Sequence, residues 1–512
     1  MKKIVLQGML YLFSTVACSQ DYTNVDIDSE VTDVQPMTGM VFWPGNNDIE
    51  TDAIALEFSY MDFSQIVLAQ SEYDWTVVDN LLDEMASRNH QAVLRFRFTY
   101  VGKTTTVPQY IKDLPDYHET EALSEGMTTW FPDWTNAELK RFTLEFYEKF
   151  AERYDNDPRL AFLQVGFGLW AEYHIYDGPF ELGVTFPDKE FQKEFFAKLD
   201  SVFTNTFWSI SIDAADGTYS PFSAEPDLKN LTFGLFDDSF MHGSHSGYNT
   251  DCWNFFGRDR YKEAPAGGEF SYYSDYDQQN ILNPVVGAYG KPYEIYAQDF
   301  HITYINANDQ NRYHSLKRIK EASMNSGYKF KLNSVKTKPG STVIEIVNLG
   351  VAPIYTNAYL AVNGVRSTES LKLLAPDEPV SITIPEGGDN IAVTIESDDI
   401  LSTETIEYFG TVNDYERYVQ PEEQVLGFES KKTSLFTVYP TVVDQGGVVK
   451  VDYKGKEEYS IKIYDQLGKV VYSKKSSTHS FINTANYVSG LYYMVVNNPL
   501  VNTVDTVKFV VE

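Results

Sequence analysis

Two glutamates stand in sequence surroundings that suit acid–base chemistry. Glu172 follows the Gly-Phe-Gly segment 166–168, which lets the backbone turn sharply, and its other neighbours are aromatic or ionisable: Trp170, Tyr173 and His174. An apolar, aromatic surrounding raises the pKa of a carboxyl group, as a general acid requires. Glu269 follows Ala266-Gly-Gly268, whose small residues allow close packing around a substrate. Cleavage of a glycosidic bond uses one protonated and one ionised carboxyl group, so we predict Glu172 as the acid/base and Glu269 as the nucleophile or base.

Other residues compete for these roles. Asp237 and Asp238 end a predicted strand, and because adjacent strand residues point to opposite faces, one of them can face the site and take the second role. Asp299 and His301 follow the predicted strand 293–297 and offer a further pair. Both glutamates also have a structural alternative. Glu172 could anchor a loop or pair with an arginine, and Glu269 could be a solvated residue after a glycine turn.

Two arginines share one face of a predicted strand. Arg95 and Arg97 lie two residues apart and, if buried in a barrel, need anionic partners. They could keep the nucleophile ionised, bind a sulfate or uronate, or form a structural ion pair. Tyr60, at the end of the preceding strand, could stack on a sugar or donate a hydrogen bond. The predicted substrate-binding residues are Tyr60, Arg95, Arg97, Trp170, Tyr173, His174, Asp237, Asp238, Asp299 and His301.

No metal site or catalytic cofactor is predicted. His242 and His245 are three residues apart with no third ligand nearby in sequence, which favours a loop over a metal site. Asp- and Asn-rich loops offer oxygen ligands for a structural Ca²⁺, but no EF-hand spacing occurs. Cys252 follows Asp251, which disfavours a thiolate, so we expect a buried or half-buried thiol.

The elements that must position these residues alternate between strands and helices over 38–325. We predict strands at 54–60, 92–98, 160–167, 208–212, 231–236 and 293–297. Apolar residues at helical spacing predict helices around 75–85, 139–154 and 191–203, the second opened by a capping box at Thr135–Glu138. This alternation is typical of a (β/α)8 TIM-like barrel, in which chemistry lies at the carboxyl ends of the strands.

The rest of the chain predicts β structure. Short alternating runs separated by turn signals predict a β-sandwich over 326–412, followed by a polar linker over 413–433. A second, small immunoglobulin-like β domain occupies 434–512. The predicted fold class is therefore a multidomain α/β protein with additional all-β domains.

Composition and the first residues indicate an exported globular protein. The chain has 512 residues, 15% of them aromatic, and a formal net charge of −32, which argues against nucleic acid and anionic lipid as partners. Residues 1–19 are typical of a signal peptide, with an imperfect lipobox ending at Cys18 as the alternative. No segment is long and apolar enough for a transmembrane helix.

The last residues carry a specific resemblance. The segments 436–440, 459–472, 487–494 and 508–511 resemble, in order and spacing, the C-terminal sorting domain of the Bacteroidetes type IX secretion system. Tyr439-Pro-Thr-Val442 departs slightly from the usual Tyr-Pro-Asn-Pro start. The resemblance implies a protein that is secreted or attached to the outer cell surface, with the type IX machinery as a partner.

Residues 38–410 resemble the paired DUF4874/DUF4832 domains. The segments that carry the resemblance are 93–97, 163–173, 267–269 and 327–332. Leu169-Trp-Ala-Glu-Tyr173 replaces one glycine and one tryptophan of the usual Gly-Trp-Gly-Glu-Trp motif. These families look like glycoside-hydrolase barrels with a trailing sandwich, so the resemblance implies that fold.

Two functions follow from these observations. The first is an exported glycoside hydrolase that cleaves a polysaccharide or oligosaccharide with two carboxylates at the barrel rim. The alternative is a non-catalytic glycan-binding or adhesive surface protein built on the same barrel.

Overall fold

The chain forms two compact units, Met1–Tyr418 and Val419–Glu512. The computed structural model describes residues 21–418, 436–454, 458–465, 469–498 and 503–511. The predicted signal peptide and residues 419–433 of the predicted linker lie outside the described residues.

The first unit contains a closed barrel of eight parallel strands, which confirms the predicted fold class. Its strands lie side by side in chain order, each strand pairs in parallel with the next, and the last pairs with the first. They are Gly39–Phe42 (β1), Leu56–Asp62 (β2), Gln91–Arg97 (β3), Leu160–Val165 (β4), Phe207–Ser211 (β5), Gly234–Phe240 (β6), Ala266–Phe270 (β7) and Tyr304–Asn306 (β8).

Helices cover the outside of the barrel. The longer ones are Thr76–Ser87 (α1), Ala137–Tyr154 (α2), Lys189–Val202 (α3), Ser246–Phe256 (α4), Tyr293–Phe300 (α5) and Leu316–Ser323 (α6). Each of these helices buries an apolar stripe against the strands; α2, for example, buries Phe142, Phe146 and Phe150. After β5, the described residues contain two short 3-10 helices, Ile212–Ala215 and Pro226–Asn230, in place of an α-helix.

Short elements complete the barrel unit. Three helical turns occur at Phe63–Ile66, Gln109–Lys112 and Asp275–Asn280, and further 3-10 turns at Arg260–Lys262 and Gln310–Arg312. Two hairpins, Val67–Ala69 with Glu72–Tyr73 and Thr120–Ser124 with Met127–Phe131, lie in the loops that follow β2 and β3.

Two local predictions were wrong. The predicted strand 293–297 is the start of α5, whose buried residues Tyr293, Glu294 and Ala297 have helical spacing. The cap of α2 is Asn136, which accepts a hydrogen bond from the Leu139 N–H, one residue after the predicted Thr135.

The barrel separates two apolar clusters. The inner one fills the barrel with side chains such as Phe58, Phe162 and Tyr304, the last two stacked with ring centroids 4.9 Å apart. The outer one lies between strands and helices and is rich in phenylalanine. The inner cluster fills the barrel below its carboxyl-end mouth, so the mouth is left for polar residues.

A β-sandwich completes the first unit. One sheet contains Thr23–Asn24, Phe330–Lys338, Ser341–Asn348, Val380–Ile384 and Tyr408–Phe409, and the other contains Tyr359–Val362, Val365–Arg366 and Val393–Glu396. The strand at Thr23–Asn24 was not predicted, because two exposed polar residues carry no pattern; it pairs with Phe330–Lys338 from the far end of the unit.

The second unit is a small β domain of two sheets. One contains Phe436–Tyr439, Val448–Tyr453 and Ser480–Asn483; the other contains Val442–Val443, Tyr459–Tyr464, Val470–Ser476, Gly490–Asn498 and Thr503–Val511. Alternate residues of its strands, such as Ile461 and Ile463, are buried between the sheets. Among the described residues of the whole chain, none of the helices has the length and apolar character needed to span a bilayer.

Candidate active site

Glycines bring Glu172 into the mouth of the barrel. The chain leaves β4 and folds back on itself, with the Gly168 N–H donating to the carbonyl oxygen of Glu172 at 2.8 Å. A Cβ added at Gly166 would overlap the carbonyl oxygen of Ala171, and one added at Gly168 would overlap that of His174. The turn therefore requires both glycines, and the Gly-Phe-Gly bend predicted from the sequence is present.

The backbone just before Glu172 is strained. Trp170 and Ala171 adopt left-handed conformations, with φ of 53° and 56°. For residues with a side chain this conformation costs roughly 1–2 kcal/mol each. Such strain persists only where the surrounding contacts determine it, and it concentrates at functional sites.

Glu172 lies between two basic groups at the base of the cleft. Its side chain is largely buried; Oε1 is 3.5 Å from an Arg95 nitrogen and Oε2 is 3.5 Å from His174 Nε2. Burial raises the pKa of Glu172 to about 8, although the charges of His174 and Arg95 oppose the rise. The carboxyl group is therefore largely protonated near neutral pH, as a proton donor requires.

His174 is held by a carboxylate that the sequence analysis did not single out. Its Nδ1 is hydrogen-bonded to Asp213, at the 3-10 turn after β5. Burial lowers the pKa of His174, but the hydrogen bond and the charge of Asp213 outweigh this, and the net direction is upward. The imidazole therefore tends to be positively charged beside Glu172.

Glu269 extends from β7 toward the same mouth. A Cβ at Gly267 would overlap the ring of Tyr304, and one at Gly268 would overlap the carbonyl oxygen of Asp237, so the glycine pair allows close packing here. Burial raises the pKa of Glu269, whereas Arg95 and a 3.4 Å hydrogen bond from Asn306 Nδ2 oppose the rise. Both opposing groups favour an ionised carboxylate.

Arg95 connects the two glutamates electrostatically. Its side chain is buried, and its Nε donates to Gln164 Oε1 at 2.8 Å. The guanidinium lies 4.3 Å from the ring centroid of Phe236. The negative charges of Glu172 and Glu269 both act to raise the pKa of Arg95 and so favour its positive charge. Arg97 instead forms an ion pair with Asp62 at 2.7 Å.

The adjacent aspartates of β6 point in different directions, as predicted. Asp237 accepts hydrogen bonds from Asn249, at 2.8 Å, and from Trp253, at 3.1 Å, and both donors are on α4. Asp238 Oδ2 accepts from Ser211 at 2.8 Å, while its Oδ1 is buried without a partner. Asp238 is therefore the aspartate that adds to the chemistry of the mouth, and burial, followed by the charge of Glu172, raises its pKa.

Three of these side chains could hold a metal ion. One ligand atom each from Glu172, His174 and Asp238 lies within 4.8 Å of the others. The contact of His174 with Asp213 has the form of an outer-shell hydrogen bond to a metal ligand. Arg95, 3.5 Å from Glu172, opposes a cation at this point.

The mouth opens into a cleft of about 970 Å³. Most of its lining is aromatic or acidic, and Glu172, His174, Asp238 and Glu269 lie at its base. The aromatic residues are Trp43, Tyr60, Tyr100, Trp170, Tyr176, Tyr219, Tyr248, Tyr272 and Tyr273. A cleft of this size and lining suits a carbohydrate or another small organic ligand.

Five predicted substrate-binding residues do not line the cleft: Arg95 and Arg97, whose contacts are given above, and Tyr173, Asp299 and His301. Tyr173 is buried, and its hydroxyl donates to Gln192 of α3 at 3.0 Å. Asp299 pairs with Lys291 at 3.2 Å, and His301 Nδ1 bonds the carbonyl oxygen of Val351 at 2.7 Å. The expectation for Asp299 and His301 was wrong because residues 293–300 form α5, which leads to the start of β8, at the opposite end of the barrel from the cleft.

The sequence analysis missed several cleft residues that follow barrel strands. Trp43 comes directly after β1, Asp213 after β5, and Tyr272 and Tyr273 after β7. The rule that chemistry lies at carboxyl ends of strands would have found them once the strand ends were known. For β1, four buried residues were too short a signal.

The remaining ionisable candidates have protein partners. His242 Nδ1 is 2.5 Å from Asp277 Oδ2, and His245 Nδ1 is 2.9 Å from the Ser239 hydroxyl. Cys252 is buried, and burial raises the pKa of its thiol to about 12. An activated cysteine nucleophile is therefore not part of this site.

One family model matches part of the chain. Residues 437–512 match a family described as a secretion system C-terminal sorting domain. This tail marks the protein for type IX secretion and surface attachment, as the resemblance implied. No curated protein matches the chain.

Solved structures that match this chain include carbohydrate-active enzymes. A γ-CGTase of the alkalophilic Bacillus clarkii aligns with 94% of this chain and 84% of its own, at 10% identity and a TM-score of 0.29. A GH36 α-galactosidase, AgaA of Geobacillus stearothermophilus, aligns with 70% of this chain and 55% of its own, at 9% identity and a TM-score of 0.32. A GH5_18 protein of Streptomyces cattleya aligns with 53% of this chain and 70% of its own, at 10% identity and a TM-score of 0.33. At these values the likeness carries no weight for activity.

Proposed function

We propose that the protein is a secreted glycoside hydrolase acting on a polysaccharide or oligosaccharide. Glu172 is the acid/base, and Glu269 is the nucleophile or base. The observation that carries the proposal is a pair of carboxyl groups at the base of one aromatic cleft, the buried Glu172 after β4 and the half-buried Glu269 on β7, whose charges both favour the positive charge of Arg95.

The electrostatics support a division of labour. Glu172 has a pKa of about 8 and so retains a proton that it can donate to the leaving glycosidic oxygen. Burial raises the pKa of Glu269 as well, but the charge of Arg95 and the hydrogen bond from Asn306 oppose the rise and favour the ionised form. The ionised group attacks the anomeric carbon directly or removes a proton from the attacking water, and the departing alcohol takes the proton of Glu172.

The aromatic lining supports a sugar as the ligand. Tyr60 and Tyr100 lie with ring centroids 5.8 Å apart and Trp170 and Tyr176 with centroids 5.8 Å apart, and all four line the cleft. Flat aromatic faces are the surfaces on which sugar rings stack. The resemblance of residues 38–410 to the DUF4874/DUF4832 families is consistent with this proposal.

One observation favours the non-catalytic alternative. Arg95 and His174 both approach Glu172, and a carboxylate held by cations serves as a structural anchor in many proteins. Both distances are 3.5 Å, which is long for a charge-assisted hydrogen bond. The raised pKa of Glu172 also shows that burial outweighs the two cations, so catalysis is the better-supported function.

The proposal is tested by hydrolysis of a polysaccharide panel with the full chain and three variants. Glu172→Gln and Glu269→Gln should each lower kcat/KM by a factor of 10² or more, since each removes an acid–base or nucleophilic group. Glu72→Gln, at an exposed position of the hairpin after β2, is the matched control and should retain activity. Unchanged activity in both cleft variants would exclude these residues as the catalytic pair, and glycan binding without turnover would support the alternative.

A further inference from the structure

The charge of the cleft identifies a class of substrate. Eight of the residues that line it are aspartates or glutamates, of which Glu172 holds a proton near neutral pH and Asp213 and Asp309 are paired with His174 and Arg312. Among the described residues 21–418, no lysine or arginine belongs to the lining. We propose that the cleft binds glycans whose sugars carry free amino groups, and that it rejects glycans carrying carboxylate or sulfate groups. This inference rests on the proposed function of the same site.

The nearby cations are engaged by other groups: His174 by Asp213, and Lys103 by the ring of Tyr100, whose centroid is 4.5 Å from its Nζ. Arg95 lies below the cleft and contacts Glu172, and Arg97 is paired with Asp62. At the rim, Arg312 is paired with Asp309 at 3.2 Å. The sequence suggested Arg95 and Arg97 as sites for a sulfate or uronate, but an anionic sugar would have to displace their carboxylate partners. Like charges in a low-dielectric cleft then repel it.

One acceptor oxygen at the base lacks a protein donor. It is Oδ1 of Asp238, a residue that lines the cleft. A buried acceptor without a donor is unfavourable, and an ammonium group offers three donors and no acceptor.

Further carboxylates lie higher in the cleft. Glu125 is on the tip of the hairpin after β3, and Asp216 follows the 3-10 turn after β5. The ion pairs found among the described residues include neither of them. The aromatic faces between these carboxylates add cation–π attraction for an ammonium group. Acidic and aromatic residues therefore extend along the cleft rather than at one point.

The volume favours a glycan over a bare ion. A divalent cation at Glu172, His174 and Asp238 would use three ligands at the base and leave the rim carboxylates unexplained. A cleft of about 970 Å³ lined by nine aromatic residues accommodates several sugar units. Calcium binding is therefore kept as an outcome of the test.

The experiment measures affinity in the full chain carrying Glu172→Gln, which prevents turnover without changing charge, since Glu172 is largely protonated. The probes are the glucosamine hexamer, its N-acetylated form and cellohexaose, which share a backbone and differ at one substituent. A second pair, polygalactosamine and its N-acetylated form, varies the linkage. Calorimetry should show binding of the amino forms at least tenfold tighter, with the difference shrinking as salt shortens the screening length from about 30 Å to about 3 Å.

A double variant identifies the source of the preference. Glu125→Gln with Asp216→Asn should weaken binding of the amino glycan by about two- to fivefold per carboxylate and leave the N-acetylated form unchanged. Glu72→Gln is the control outside the cleft. Equal binding of neutral and amino forms, no binding of any probe, or tighter binding of polygalacturonate would overturn the inference, as would stoichiometric calcium uptake that blocks the amino glycan. Selective binding by the unsubstituted chain without hydrolysis would overturn the proposed function alone.

Discussion

Replacing His174 should move the alkaline limb of the pH–activity profile upward. Glu172 must be protonated to act as an acid, so kcat/KM should fall as the pH rises through the pKa of about 8. His174 Nε2 lies 3.5 Å from Glu172 Oε2, and its positive charge favours the ionised carboxylate. His174→Asn removes that charge while keeping a polar side chain, so Glu172 should hold its proton to higher pH.

The size of the shift follows from the distance. Two unit charges 3.5 Å apart interact by about 1.2 kcal/mol at a dielectric constant of about 80 and by about 4.7 kcal/mol at about 20. One pKa unit corresponds to about 1.36 kcal/mol, so the limb should move upward by about 0.9 unit at least and about 3.5 units at most. The assay is the initial rate of hydrolysis at low substrate concentration across a pH series.

His245→Asn is the matched control for this prediction. His245 lines the same cleft, but its Nδ1 bonds Ser239 and its charge does not act on Glu172. The alkaline limb of this variant should stay where it is in the unsubstituted protein. A limb that stays fixed or moves to lower pH in His174→Asn would refute the assignment of Glu172 as the acid under the influence of His174.

Three further predictions concern the turn, the core and the tail. Gly168→Ala should abolish activity because the new Cβ overlaps a carbonyl oxygen of the turn, whereas Gly247→Ala, which meets open space on α4, should leave activity and melting temperature nearly unchanged. Glu57→Gln should lower the free energy of unfolding by about 1–3 kcal/mol in chemical denaturation, because it removes the buried anion of Arg88 and leaves that guanidinium with only the exposed Glu84. Burial opposes ionisation of Glu57, but hydrogen bonds from Arg88 and from a histidine outweigh it, so the pKa of Glu57 is lowered in the folded protein. The stabilisation that Glu57 contributes should therefore be fully present above about pH 4.3, the ordinary pKa of a glutamate. It should be lost as the pH falls through the lower pKa of the folded protein. A chain ending at Tyr418 should keep hydrolytic activity in cell extracts but be absent from the cell surface, and surface display of that chain would contradict the sorting role of the tail.

The barrel was predictable because most of its strands and helices carry strong periodic patterns. The run at Leu160–Val165 is uniformly buried, and the apolar stripe of Ala137–Tyr154 has clear helical spacing. The strands that were missed, Gly39–Phe42, Ala266–Phe270 and Tyr304–Asn306, have four, five and three residues and take their definition from neighbours on both sides. Patterns this short do not distinguish a strand from a loop.

The predictions for the site depended on the accuracy of the strand ends. Glu172 and Asp238 were found because the strands before them were predicted nearly correctly, whereas Glu269 was found from the glycine pair that precedes it although its strand was not predicted. The structure brings all three into one cleft. Asp299 was misplaced because a helix was taken for a strand, which inverted the end of the barrel to which it belongs. Asp213 was missed because nothing in one sequence shows that its carboxylate reaches a histidine 39 residues earlier.

The short strand at Thr23–Asn24 has a consequence for the order in which the exported chain folds. Thr23 pairs with Thr337, and the Ile27 N–H donates to the Thr411 hydroxyl across 384 residues of chain. A polypeptide that emerges from a membrane amino end first must therefore keep its earliest residues unpaired until nearly the whole unit has followed. Contacts between such distant segments form slowly, so the amino-terminal strand joins its sheet only after the intervening barrel has left the membrane.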